Sequence, residues 1–434
     1  MKNITIYLLL ALACLGLQSC LFQEENYFDD SSANRATADV NRCGELLKGA
    51  PNGWVMEYYV GKDYSLGGIT LLCRFDGQRV TMASQMAEAD ETVSSLYSVK
   101  SEQATMLSFD TYNYLVHYFG QPQGSMSDDP NGTLGGDYEF IISSASAERI
   151  ELKGKKYGNR IVMKALTEDQ TWKQYLTKIK KVEDDAFFYE YDLLMDGLYT
   201  GQMIRSNYTF IVTYYDEIGK VHQKTVPFMF TADGLRFHEP VTIDGQTMQN
   251  FVWKNELISF VCTDEGATGI KLAGVYTAGY QSYDYYPGTY QMDFYRLNDE
   301  TGQLEVASQE VRLLKNEDGK SYWLKGLEYD ILVMYDKPRG GLSVSPQLLE
   351  KVQGGYVYLA MWDVMNDYVL RNKSIGLISY ATTNGIYLVD NGVWMGEVSG
   401  FIFGVYNSQE EDAAFIGYTD AVASIRLVKK TIEE

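Results

Sequence analysis

Three histidines in 434 residues leave little imidazole from which to build a proton-transfer or metal site. His117 is the best placed, because Asp110 and Asn113 precede it closely enough for all three to meet near one strand end, where a carboxylate orients a catalytic ring. A single hydrogen-bonded histidine with no chemical role fits the same spacing. His222 and His238 form no His-Glu-x-x-His pair, so zinc-dependent hydrolysis has no motif. Asp128, Asp129, Asn131 and Asp137 gather oxygen ligands in a Gly-rich loop, but Pro130 intrudes and no glutamate closes the pattern of a calcium loop. No metal and no cofactor is expected. Gly-x-Ser-x-Gly elbows and phosphate-cradling loops are missing too, which lowers the standing of serine-nucleophile and nucleotide chemistry. The crowded run Tyr276, Tyr280, Tyr283, Tyr285, Tyr286 is a different kind of candidate. Flat rings stack on sugars or peptides while Gln281 and Asp284 bond hydroxyls, giving a ligand platform. The same tyrosines also suit strand ends that pack one domain on another.

Cys20 carries the most specific chemistry. Residues 1–19 combine a cationic start at Lys2, an apolar run from Ile4 to Leu17, and a Leu17-Gln18-Ser19-Cys20 ending that resembles a bacterial lipobox. Cleavage before Cys20 would make it the lipidated amino terminus, carrying enough acyl chains, such as palmitate, for stable membrane attachment. The apolar run is shorter than the roughly 20 residues of a spanning helix. Residues 20–30 hold Gln23, Glu24, Glu25, Asp29 and Asp30, an acidic leader that keeps the body off the bilayer. Cys43, Cys73 and Cys262 are an odd set at irregular spacing, expected as buried thiols, with one disulfide left open.

The elements that position these residues are mainly strands. Lys and Arg number 37 against 58 Asp and Glu, a formal charge of −21, which disfavours nucleic acid as a partner. A hydrophobic share of 45% suffices for more than one core at this length. A helix is expected over 33–48, capped by Ser31 or Ser32, with Ala36, Val40, Cys43 and Leu47 on one face. Short Tyr/Val/Ile-rich runs from Trp54 to Met163 then predict a meandering antiparallel sheet, closed as a barrel or stacked as a sandwich. A second helix near 168–182 shows a Thr167/Gln170 capping box and an apolar stripe through Leu176, Ile179 and Val182. With strands resuming to about 262, residues 31–270 read as one β-rich domain and 271–434 as a second. In the second, Asp318-Gly319, Asn384-Gly385 and Asn391-Gly392 are expected hairpin turns, and Pro346–Val352, after Ser345, an expected short helix. The fold class is mainly β, with a few helices packed on antiparallel sheets in two β-rich bodies.

Several of these segments together resemble a known family. Asn52-Gly53-Trp54 with Glu57-Tyr58-Tyr59, Phe75-Asp76, Phe109-Asp110-Thr111-Tyr112-Asn113, Gly136-Asp137-Tyr138-Glu139-Phe140 and Leu152-Lys153-Gly154-Lys155-Lys156 look like domain-of-unknown-function family 4302. That resemblance implies a Bacteroidota outer-membrane lipoprotein, of a kind often encoded beside SusC/SusD-type nutrient importers, and brings no catalytic residues to carry over. The expected function is a lipid-anchored accessory protein of nutrient uptake, a non-catalytic module that binds glycan, peptide or the importer itself. Two alternatives stand beside it: a hydrolase acting on the imported polymer through cleft carboxylates, and a structural surface lipoprotein with no small ligand. The expected location is the outer membrane, facing the cell surface, with a periplasm-facing anchor as the alternative.

Overall fold

The computed structural model describes residues 31–122, 132–216, 218–298, 300–410 and 412–430. Cys20, the signal segment and the acidic leader lie outside the described residues, as do Asp128, Asp129 and Asn131. Helix α1 (Ser32–Lys48) opens the described chain, with the Ser31 side chain accepting from Asn34 N–H as its cap. Its buried residues, Cys43 and Leu47, are the last two of the expected apolar face.

Eight strands from Trp54–Val60 to Arg160–Ala165 pair each with the next, and the last returns to the first through Trp54↔Ala165 and Met56↔Met163. The sheet is therefore a closed barrel, and closure leaves no edge strand unpaired. Trp54, Met56, Tyr58 and Val60 alternate into its core with Leu71, Phe109, Phe140 and Met163. Between the fifth and sixth strands, the short helix α2 (Tyr114–His117) packs Leu115 and Val116 against this core.

Helix α3 (Trp172–Asp185) begins four residues later than the sequence suggests. The reciprocal box joins Thr171 and Gln174: Thr171 N–H donates to Gln174 Oε1 at 2.9 Å and Gln174 N–H to Thr171 Oγ1 at 3.2 Å. Thr167 and Gln170 are excluded from the helix because Asn52 Nδ2 donates to both of their carbonyls, at 2.7 and 2.8 Å, and fixes them as a loop. Helix α3 then serves two cores. Leu176 packs with Val55, Leu72 and Ala83 on the outer wall of the first barrel, whereas Ile179 and Val182 enter the core of a second.

That second barrel also has eight strands, from Glu190–Met195 to Ile270–Val275, closed by Ile270↔Met195 and Leu272↔Leu193. The Asp244-Gly245 turn has φ of 47° and 72°, the two left-handed residues that a tight hairpin demands. The barrels touch closely at Gly67 (φ 72°), where a Cβ would fall 2.1 Å from the Tyr208 carbonyl oxygen. Beside it, Glu57 accepts from Lys164 at 2.8 Å and from Arg236 of the second barrel. Residues 31–275 thus hold two barrels joined by α3 and an ion-paired seam.

From Gly288 a twelve-stranded antiparallel sheet forms the second β-rich body. Its first strand, Gly288–Asn298, pairs with both Gln303–Lys315 and the last strand, Phe415–Lys429, so the sheet curls around one core. The long last strand forks the sheet: Phe415–Ala423 pairs with Gly400–Tyr406, while Arg426 and Leu427 pair with Tyr387 and Ile386. The expected helix at Pro346–Val352 is instead the strand Gln347–Val352, paired through Leu348↔Tyr358 and Val352↔Gly355. Gly354, at φ 88°, closes a tight turn back onto Gly355–Asp363, and the cross-strand partner outweighs the helix-start pattern of Ser345-Pro346. Asn384-Gly385 does close a hairpin, through Thr382↔Gly385. Asn391-Gly392 does not. Asn391 Nδ2 donates to Ser374 O at 2.8 Å, and the strand before it pairs with neighbours other than the strand that follows.

Candidate functional site

Alternation along Gly355–Asp363 creates the site. Val357, Leu359 and Met361 point into the core, so Tyr358 and Trp362 lie on the opposite face. Ile402 and Tyr406 of Gly400–Tyr406 share that face, since Phe401 and Phe403 belong to the core. An antiparallel sheet with one packed face ordinarily shows a polar second face. Here the second face is apolar and aromatic, and it forms the floor of a groove of about 1520 Å³. Ligand pockets for small molecules run to about 1,000 Å³, so this groove has room for a segment of polymer.

Loops build the walls. Arg371 follows the short strand Tyr368–Leu370 and lays its guanidinium 4.2 Å from the Tyr406 ring centre and 5.0 Å from that of Tyr358. Its Nη2 donates to the Glu410 carbonyl at 2.5 Å, tying two walls together. Phe415 meets Tyr406 edge-on at 5.4 Å, and Trp394 meets Tyr368 at 5.8 Å. Trp394 Nε1 donates to Asp363 Oδ2 at 3.1 Å, and Asp363 also accepts from Asn366 N–H and Nδ2. Those bonds, the Asn366 side chain first, hold the Asp363 carboxyl below its ordinary range. Trp362 is 5% exposed and its indole N–H has no hydrogen-bond partner among the described residues. Ser345, Gln347, Asp367, Asn372, Lys373 and Gln409 supply polar groups around the rim. Rings on the floor and sparse polar groups on the rim can stack on flat ligand faces and bond hydroxyls or amides.

The residues singled out from the sequence lie elsewhere. Tyr276 and Tyr280 pack against the second barrel: Tyr276 meets Phe188 edge-on at 5.0 Å, and Tyr280 is parallel to Phe187 at 6.0 Å. Tyr283 stacks on Tyr322 at 4.7 Å and donates its hydroxyl to Ser321 O at 2.8 Å. Tyr286 is buried, its hydroxyl bonded to Gly340 O at 2.8 Å. Tyr285 is 40% exposed beneath Lys429, and Asp284 pairs with Lys315. The six residues do not share one open face; most of the rings join the second barrel to the curled sheet or serve that sheet's core.

Asn113 and His117 do meet, but in a helix cap. Asn113 is fully buried, accepts from Leu115 N–H at 3.1 Å and donates to Ser95 Oγ at 3.2 Å. His117 Nδ1 sits 3.0 Å from Asn113 O, and its ring stacks on Tyr138 at 4.6 Å. Burial lowers the His117 pKa. Asp110 is exposed, and its carboxylate has no bond to His117 among the described residues. Asp137 is 3% exposed and accepts from Lys156 N–H at 2.6 Å, which makes it a turn anchor. Among the described residues no cluster of His, Cys, Asp or Glu has the arrangement of a metal site. Cys43, Cys73 and Cys262 are buried free thiols. The groove was not among the sites expected from the sequence. The available signal was Tyr358, Trp362, Ile402 and Tyr406 at even spacing, in strands whose odd positions were already apolar.

Two meander barrels followed by a curled sheet with an aromatic outer groove define an all-β, antiparallel protein of barrel-forming units. Residues 24–255, more than half of the chain, match the domain of unknown function DUF4302, and the chain belongs to that family. Residues 263–403 match a second domain of unknown function, DUF4987. No curated protein matches the chain. Among solved structures, intact Ap-TbpB with its N and C lobes is similar over 84% of this chain and 67% of its own, at 10% identity and a TM-score of 0.13. No helix among the described residues is long and apolar enough to cross a membrane.

Proposed function

We propose that the protein is a lipid-anchored accessory component of an outer-membrane nutrient-uptake system, and that it holds a glycan or peptide chain, without cleaving it, in the aromatic groove of its C-terminal sheet. The observation that carries this reading is the groove itself, a second sheet face lined by Tyr358, Trp362, Trp394, Tyr406 and Phe415 where water-facing polar residues are the norm. Asp367 is the one carboxylate among the described lining residues, so the paired carboxylates of glycoside hydrolysis are not assembled there. The Leu17-Gln18-Ser19-Cys20 ending supports the anchor, and membership of DUF4302 is consistent with it.

The test is a binding screen of the full-length protein in neutral detergent against neutral oligosaccharides (xylan, mannan and starch fragments) and a peptide pool. Trp394→Ala, which removes a wall of the groove, is expected to weaken a retained ligand about tenfold or more. Tyr285→Ala, on the tyrosine-rich run, is expected to leave binding unchanged. Equal binding by wild type and Trp394→Ala would remove the groove from the mechanism.

A further inference from the structure

A second cavity, of about 750 Å³, opens where helix α3, the second barrel and the curled sheet come together. Its charge runs against that of the chain. Lys180, Lys181, Arg205, Lys320 and Lys337 line it against two carboxylates, Glu183 and Asp184, in a protein where acidic residues outnumber basic ones by 58 to 37.

Both carboxylates are already engaged. Lys337 Nζ donates to Asp184 Oδ2 at 2.8 Å and to Asp184 O at 2.7 Å. Arg205 reaches Glu183 at 3.4 Å while also donating to the Ala186 and Asn207 carbonyls. Lys181 turns to Asp185 at 2.8 Å. Lys180 and Lys320 have no ion-pair partner among the described residues, and they approach the cavity from different bodies, one on α3 and one on the Asp318-Gly319 turn. With no ion pair closing on them, both ammonium groups can reach a bound anion, Lys320 from beside the Asp318 carboxylate that its charge stabilises. Beside them Tyr189, 50% exposed, offers a ring face.

We propose that this cavity binds an acidic polysaccharide segment, with carboxylate or sulfate groups on Lys180 and Lys320 and a sugar ring against Tyr189. Cations next to an open aromatic face match the two sides of a charged sugar: the apolar C–H face stacks and the anionic substituent takes charge-assisted hydrogen bonds. The site is separate from the aromatic groove and does not rest on the groove's function.

The experiment is calorimetric titration of the full-length protein in neutral detergent with oligogalacturonate, a heparin oligosaccharide, a neutral maltooligosaccharide and poly-glutamate. Binding of at least one of the two acidic sugars, weakened by added salt, is expected. The double variant Lys180→Ala/Lys320→Ala should lose about tenfold or more in affinity for it. Lys180→Arg/Lys320→Arg should retain binding, and Trp394→Ala should not alter it, which separates this site from the groove. Lys320→Ala alone, on an exposed turn, gives the same reading with a smaller loss should the double variant fold poorly. No acidic sugar bound by the wild type, unchanged affinity in the alanine variants, or tighter binding of poly-glutamate than of either acidic sugar would each overturn the assignment.

Discussion

Glu57 shows how one side chain couples two folding units. It is 8% exposed on the outer wall of the first barrel and accepts from Lys164 of its own barrel and Arg236 of the next. Removing the Glu57 carboxylate leaves the mostly buried Arg236 charged and without this partner, while Lys164, 40% exposed, turns to water. Glu57→Ala is therefore expected to destabilise the protein by about 3 kcal/mol. Urea denaturation followed by tryptophan fluorescence would measure it, and a shift within error of wild type would show the seam to be energetically idle. Trp362 poses the opposite case, a buried indole N–H with no acceptor among the described residues. Such groups are uncommon in folded proteins. The three cysteines need no such reading. Cys73 and Cys262 lie in separate barrel cores, and burial pushes the Cys262 thiol up to about 11, so it resists alkylation at neutral pH.

Local chemistry was legible wherever an element's own residues determine it. Ser31, the buried face of α1 and the Asn384-Gly385 turn came directly from the sequence because capping and tight turns involve neighbours in the chain. Contacts at long range misled it. Thr167 and Gln170 mimic a cap until Asn52 claims their carbonyls, and Ser345-Pro346 mimics a helix start until Tyr358 pairs with Leu348. The groove was hidden for the same reason: an apolar strand reads as buried on both faces, and what covers each face is set by distant segments. The barrel seam also yields a pH prediction. His238 lies between Tyr59 and Tyr64, at 4.3 and 4.1 Å, facing Glu57, Arg236, Glu239 and Arg160. Burial lowers its pKa below the ordinary 6.5, so the unfolded chain takes up a proton before the folded one does. Stability attributable to His238 is complete above 6.5 and falls as the pH drops through 6.5 towards the lowered folded value. Thermal midpoints taken from pH 7.5 to 5.5 should fall less steeply for His238→Gln than for wild type; parallel curves would exclude the seam histidine as a source.

At the scale of the whole molecule, two closed barrels and a curled sheet leave few strand edges unpaired among the described residues. The chain as a whole is strongly negative, and the cavity beside α3 carries the opposite balance. The anchor is tested by Cys20→Ala, which is expected to lose both labelled palmitate and the membrane fraction; retention of label would defeat the lipobox reading. The central claim concerns the groove. Affinity electrophoresis of full-length wild type, Trp394→Ala and Tyr285→Ala through gels containing neutral polysaccharides, followed by sizing of the polymer, tests it most directly. Retarded migration of wild type and Tyr285→Ala, restored mobility of Trp394→Ala and polymer of unchanged length are the expected results. Identical migration of all three proteins in every gel, or shortened polymer, would contradict a non-catalytic binding groove.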